Sequence, residues 1–392
     1  MHVAIVGTYP PTRCGIATFT SDVENALRLQ RVDVTIVRVD TSDDSDVEVG
    51  QYLDVDRCIK RDDISTYLSA AHFLNELGCD IVLIQHEFGI YGGTAGDHLL
   101  LFARELNIPY AVTLHTVLPQ FSESEAAVIA ALTAGAIVVT VFTESAHRLI
   151  VAQNPSCADV LQIVPHGAPA ELYKRIDGAA VRARFGLPAI GPVLSTFGLL
   201  SEGKGIELVV RALVKVAAEH PTVVYVVAGR THPGVVRREG ERYRDSLRAL
   251  IDELDLDDHV LFLDRFLDID DVAGLLAVTD VFCTPYRGAN QIVSGALTFA
   301  LAAKCPVVST PYQYARDVLS GGAGLLVDFD DDEGFATAIK LLLMDGPPRS
   351  AAVRAATTAS LTLSWSSVGR TMQSVLFDAL HYGSDQRRLT VA

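Results

Sequence analysis

Short runs rich in Val and Ile recur along the chain, separated by stretches with the three-to-four-residue spacing of amphipathic helices. The first half offers His2–Val6, Val34–Val39, Asp80–Gln85, Pro109–Leu114, Ala136–Val141 and Val160–Val164. The second offers Pro192–Phe197, Val223–Ala228, Val260–Leu263, Val281–Thr284, Pro306–Ser309 and Gly324–Val327. Runs that are apolar throughout, without alternation, predict strands buried on both faces. Their alternation with helices predicts parallel sheets in doubly wound domains. The pattern restarts near Gly191, after a stretch (Ala168–Ile190) carrying Pro169, Gly178, Gly186 and Pro188. The expected fold class is therefore α/β: two doubly wound Rossmann-like domains of about six strands each, with a cleft between them. The expected boundaries are 1–185 and 186–364, with a helix at 365–383 crossing back to complete the first domain.

Composition narrows the ligands. Apolar residues make up 49% and charged residues 20% of the 392, which excludes disorder and leaves ample core material. Acidic residues outnumber basic ones 48 to 32, for a net charge of −16. So acidic a chain lacks the broad cationic face that nucleic acid or anionic lipid demands. No nucleic-acid partner and at most weak membrane association are expected, and any anionic ligand must be held by a local cluster of donors. Cys14, Cys58, Cys79, Cys157, Cys283 and Cys305 have no metal-ligand spacing, and reduced thiols are expected. The greasiest stretch, Ala126–Phe142, is broken by Thr133, Gly135 and Thr140, which predicts a helix and a strand and not a membrane span. With no signal-peptide pattern at the start, a cytoplasmic location is expected. Nine acids fall in Asp40–Asp63, read as a solvated loop, and the Arg-rich segment Arg237–Arg248 reads as a salt-bridged solvent face.

Candidate chemistry gathers after the strands. The first connection, Gly7 to Phe19, contains Arg13 and Gly15 and offers a glycine turn feeding a helix N-terminus, which suits a phosphate or sugar oxygen. It lacks the GxGxxG fingerprint, so a nicotinamide oxidoreductase is disfavoured. In the second half a strand ends at Gly198, and Lys204 sits between Gly203 and Gly205 just before a helix. A lysine so placed supplies a point charge for a phosphate, although the spacing is not that of a Walker A loop. Arg230, Arg265 and Arg287 follow later strands, so these side chains and Lys204 come from strand ends that share one edge. Gln291, Ser294 and Gly295 lead into another helix N-terminus. In the first half His86 and Glu87, His115, and His166 also stand where strands stop. None of these sets has zinc spacing, and Asp268, Asp270 and Asp271 read as a helix start.

Taken in order, these segments resemble a GT-B glycosyltransferase of the large family 4 of retaining, nucleotide-sugar-dependent enzymes. The resemblance rests on the Gly15 loop, Thr113–Thr116, Val164–Gly167, Gly198 through Gly205, and Ala302–Thr310, with Ser364–Trp365 opening the crossover segment. It implies a donor nucleotide in the second domain and a saccharide or small-molecule acceptor in the first. Lys204 would contact the diphosphate, Ser294 and Gly295 would offer it backbone donors, His115 would lie near the transferred sugar, and Gly15 would approach from the opposite domain. Arg13, His86, Glu87 and His166 are acceptor-side candidates. GDP-mannose is the first expectation for the donor and UDP-hexoses the second, with neither cofactor nor metal required.

Three positions depart from the family pattern. Leu199 stands where an arginine is common, and Gln291 and Phe299 stand where the family has a glutamate pair. Either Arg230, Arg287 or Asn290 would then take over those contacts, or the nucleotide would be held differently. The rival expectations are a GT-B phosphorylase or epimerase, or a catalytically silent nucleotide-sugar-binding protein.

Overall fold

The computed structural model describes residues 1–12, 14–40, 55–231 and 233–381. Arg13, most of the acidic stretch and His232 thus lie outside the described residues.

By its contacts the chain forms two compact units, Met1–Gly167 with the chain from Trp365 onward, and Ala168–Ser364. The first unit is built on a parallel sheet of β1 (His2–Gly7), β2 (Asp33–Asp40), β3 (Arg57–Lys60), β4 (Ile81–His86), β5 (Tyr110–Leu114), β6 (Val138–Val141) and β7 (Leu161–Ile163). Its order is β3-β2-β1-β4-β5-β6-β7. The second holds β8 (Val193–Phe197), β9 (Val224–Ala228), β10 (Val260–Leu263), β11 (Val281–Thr284), β12 (Val307–Ser309) and β13 (Gly324–Leu326), ordered β10-β9-β8-β11-β12-β13. Every ladder in both sheets is parallel. The continuous apolar runs are the central strands: β4, β5, β8, β9 and β11 are buried along their whole length. Packed against the second sheet, the helix Ile206–Glu219 turns Ile206, Val209, Val210, Leu213 and Val216 into a core shared with Tyr225, Phe335 and Ile339.

Three features differ from the sequence reading. The first sheet gains β3 inside the segment read as a loop; it is an edge strand in which only Ile59 is fully buried, so it carries almost no apolar signal. The boundary falls at Gly167/Ala168 and not at 185/186. Residues after Gly167 pack on the second unit: Ala168 N–H donates to Leu363 O at 2.7 Å, Tyr173 Oη donates to Ser360 O at 3.0 Å, and Val181 and Phe185 lie against Gly274. The Arg-rich segment is salt-bridged, with Arg242 on Glu239 and Arg248 near Asp245. Arg244, however, is buried at 2% exposure. In line with expectation, the greasy stretch resolves into the helix Glu123–Gly135 and β6, and among the described residues no helix is long and apolar enough to cross a membrane.

The helix Trp365–His381 packs on Gly15–Leu29 within the first unit. Gly369 permits the approach, since a Cβ there would fall 2.7 Å from Ala26 O, and Gln373 Nε2 donates to Gln30 O at 3.2 Å.

Candidate functional site

In the second unit the strand order reverses between β8 and β11, and the loops leaving those two strands meet at this switch point. Gly198 ends β8 with φ of +128°, and its carbonyl is so close to the β9 loop that a Cβ on Gly229 would lie 2.0 Å from it. The β8 loop then bonds along the β9 loop, Leu200 N–H donating to Arg230 O at 2.8 Å. Next come the short turn Glu202–Lys204 and Gly205, whose φ is +60°. A Cβ on Gly205 would lie 2.1 Å from Pro285 O, and Arg287 N–H donates to Gly203 O at 3.0 Å, so the lysine loop is pressed on the β11 loop. Lys204 Nζ sits 4.0 Å above the ring of Tyr286. The acids flanking it are engaged elsewhere: Glu202 lies 3.4 Å from Arg242, and Glu207 pairs with Arg287 at 2.9 Å while accepting from Tyr243 Oη at 2.6 Å.

Arg287 also lines a pocket with Gly205, Pro285, Thr310, Phe329 and Asp330. Ser294 caps the helix Gly295–Ala302, its hydroxyl accepting from Leu297 N–H at 3.2 Å. Gln291 braces the loop before that helix, with Nε2 donating to Val293 O at 2.9 Å and its backbone carbonyl accepting from Tyr314 N–H at 3.0 Å. Phe299 stacks on Phe197 with ring centres 6.3 Å apart. Lys204 and Arg287 are thus on touching loops, and Arg230 is exposed at the end of β9. Arg265 is diverted: its guanidinium pairs at 2.5 Å with Asp271, which Arg184 also holds. That carboxylate is 1% exposed, and a buried charge without a partner is costly. Asp268 caps the helix that carries Asp271, accepting from its N–H at 2.7 Å. Among the described residues no group of three or more potential ligands could hold a metal ion.

At the corresponding edge of the first unit, His115 follows β5 and its Nε2–H donates to Gln85 Oε1 at 2.9 Å. An aromatic nest surrounds it: the Phe19 ring is 4.8 Å away and Phe142 5.3 Å, while His166 lies 5.1 Å from Phe19 and 5.8 Å from Trp365. Burial pushes His115 down to about 3, with help from His166 and His86, and pushes His166 and His86 down to about 4. All three imidazoles are therefore uncharged near neutrality. His86 is 0% exposed, packed on Phe88 and Tyr91, and its ring nitrogens have no hydrogen-bond partner among the described residues. It belongs to the interior and not to the open edge. Glu87 accepts from Thr116 Oγ1 at 2.5 Å and from Phe88 N–H at 3.0 Å, and burial raises its carboxyl above the ordinary range. Gly15 opens the helix Gly15–Leu29, capped by Cys14 Sγ, which accepts from Ala17 N–H at 3.4 Å; a Cβ on Gly15 would meet nothing within 4 Å.

Three residues of these edges were not singled out in the sequence. Gln85 ends the apolar run of β4, next to His86, and a buried amide at a strand end is the signal that could have found it. Arg38 is fully buried at the end of β2, donating to Thr12 Oγ1 at 3.1 Å and pairing with Asp40 at 3.2 Å. Tyr286 gave no signal beyond being aromatic.

Comparison with known proteins agrees with this geometry. Residues 191–345 match the family model described as Glycosyl transferases group 1. A D-inositol 3-phosphate glycosyltransferase of Acidothermus cellulolyticus is 31% identical over 274 residues, covering 65% of this chain and 55% of that protein. A GDP-mannose-dependent monoacylated alpha-(1-6)-phosphatidylinositol monomannoside mannosyltransferase of Corynebacterium glutamicum is 29% identical, covering 54% of this chain and 51% of that one. The chain thus spans about half the length of the curated relatives it matches. Anabaena Alr3699/HepE, crystallised with UDP, superposes with a TM-score of 0.78 at 18% identity, covering 96% of this chain and 100% of that one. The fold is that of the GT-B glycosyltransferases, two Rossmann-like units each on a parallel sheet. The family-model match lies within the second unit, and the relatives named above are glycosyltransferases by their descriptions.

Proposed function

We propose that this chain is a retaining glycosyltransferase of the family 4 type, moving a hexosyl group from a nucleoside diphosphate sugar to a hydroxyl of a saccharide or small-molecule acceptor. The observation that carries the proposal is Lys204. Its ammonium stands at the switch point of the second sheet, on a glycine-flanked loop, with the neighbouring acids held by arginines. As the bond from the sugar C1 to the diphosphate oxygen breaks, negative charge grows on the departing phosphate. Lys204 and the N-terminus of the helix at Ser294 and Gly295 would stabilise it, each preorganised donor supplying on the order of 3 kcal/mol. The acceptor oxygen bonds C1 on the face the phosphate leaves, and its proton passes to the departing phosphate oxygen. His115, uncharged, would orient the sugar and not serve as an obligate base. In this reading protein donors neutralise the charge, and no metal is invoked.

Mannose from GDP-mannose is the favoured donor, supported by the Corynebacterium relative's name, and a UDP-hexose is the second choice, supported by the UDP bound to the Anabaena neighbour. A silent nucleotide-sugar-binding protein is favoured by Phe299 and by the engagement of Gln291 within its own loop. The test is release of nucleoside diphosphate from GDP-mannose and UDP-glucose, with and without a panel of saccharides. Acceptor-stimulated release supports the transferase. Binding without release supports the silent protein, and release that needs inorganic phosphate supports a phosphorylase.

A further inference from the structure

Lys204 is a cation with an unusual partner. Among the described residues no carboxylate lies within ion-pair distance of it, although Glu202 and Glu207 flank it in sequence. Each of those acids is drawn off by an arginine, Arg242 and Arg287. What the ammonium has instead is the face of Tyr286, 4.0 Å below it. Tyr286 is 1% exposed and stacked on Tyr312 with ring centres 5.1 Å apart, so its plane is fixed by packing. The loops bearing the two residues are locked by the Arg287–Gly203 bond and by the contact of Gly205 with Pro285. The Tyr286 hydroxyl has no hydrogen-bond partner among the described residues, so the ring face is the part of this side chain that meets the ammonium.

We infer that Tyr286 is the positioning residue for Lys204: its ring seats the ammonium at the switch point and leaves the far side of the charge open to a diphosphate. This rests on the proposed role of Lys204. A carboxylate in place of the ring would neutralise the lysine and compete with an incoming phosphate. An aromatic face attracts the cation through its quadrupole without carrying a formal charge, so a dianion can add to the contact without displacing an acid. Tyr286 touches no substrate in this account; it acts through Lys204.

Two readouts test the seat in the full-length chain. The first needs no ligand: in the NMR spectrum the ε-methylene protons of Lys204 should be shifted upfield by the ring beneath them, and Tyr286→Phe should keep that shift. An unshifted methylene in the wild type overturns the seat, even if a Tyr286→Leu variant fails to fold. The second is calorimetric binding of UDP and GDP in a double-mutant cycle. Tyr286→Leu should raise the dissociation constant about tenfold, the size expected of a partly desolvated cation–π contact. Tyr286→Phe should restore affinity, and in a Lys204→Met background Tyr286→Leu should have almost no further effect. Independent, additive losses would overturn the positioning role, leaving Tyr286 as packing only. A shifted methylene together with a Lys204→Met variant that binds as tightly as wild type would locate the failure in the proposed role of Lys204, and it too would overturn the inference.

Discussion

The imidazole of His115 and the side-chain amide of Gln85 meet at the ends of neighbouring strands, with Nε2 and Oε1 2.9 Å apart. Because a carbonyl oxygen can only accept, the bond puts the ring proton on Nε2 and leaves Nδ1 as an acceptor. Replacing Gln85 by Leu strands that buried N–H, which should cost about 1–3 kcal/mol. Adding His115→Phe should recover part of the loss. Urea denaturation of the two single variants and the double variant measures this, and strictly additive losses would contradict the pairing.

Acid should destabilise this protein well before ordinary carboxylates titrate. His86, His115 and His166 have an ordinary value of 6.5, and burial lowers them to about 4, 3 and 4 in the fold. Below pH 6.5 the unfolded chain takes up protons that the folded chain refuses. The stability these groups permit is complete above that value and is lost as pH falls toward 4, at roughly 1.4 kcal/mol per pH unit for each imidazole. Glu87, whose carboxyl is raised, works in the opposite direction. The comparison to make is therefore His86→Phe, which keeps the packing on Phe88 and Tyr91 and removes two unpartnered nitrogens. It should flatten the curve of denaturation midpoint against pH between 6.5 and 4.5; an unchanged slope would contradict the buried, neutral His86.

Arg244 ties two strand-end loops to the N-terminus of its own helix, Arg242–Glu253. Its guanidinium pairs with Asp264 after β10 and with Glu241 at 3.3 Å, and donates to Gly229 O at 3.0 Å. Both carboxylates are about half-exposed, so truncation should cost less than the roughly 3–5 kcal/mol of a fully buried pair. Arg244→Ala is expected to lose about 2–3 kcal/mol, and Arg244→Lys should not restore it, because a single ammonium cannot reach all three partners in one plane. Thermal denaturation of both variants decides.

Gly205→Ala should be costly where Gly203→Ala is not. The first forces a left-handed backbone on a residue with a Cβ, at roughly 1–2 kcal/mol, and drives that Cβ against Pro285 O. At Gly203 the nearest atom would be 3.8 Å away. Gly205→Ala should therefore lower the melting temperature and weaken nucleoside diphosphate binding by displacing Lys204, while Gly203→Ala should do neither.

How far the sequence reaches can be read from particular elements. The twelve expected strands are all present within two residues of their bounds; β4, β5, β8, β9 and β11 were the plainest, because strands buried on both faces are apolar throughout. β3 escaped because an edge strand with one buried residue has no such pattern. The glycine turns at Gly198 and Gly205 and the helix cap at Ser294 were legible because they are local chemistry. Arg265 misled because its partner Asp271 lies across a loop, and the burial of Arg244 and His86 depends on packing that no local pattern encodes. Tyr286 was invisible for the same reason: only the meeting of the β8 and β11 loops puts its ring under Lys204.

The central claim, that the second unit holds a nucleoside diphosphate through Lys204, is tested most directly by thermal shift of the full chain. GDP, UDP, ADP and their common sugars would be screened, with NAD as control, against wild type and Lys204→Ala. A ligand at about 100 times its dissociation constant adds roughly 2.7 kcal/mol, enough to raise the melting temperature by a few degrees. One nucleoside diphosphate should produce that shift in the wild type and little of it in Lys204→Ala, each measured against its own melting temperature without ligand. No shift with any of them, or an equal shift in the variant, would contradict the account.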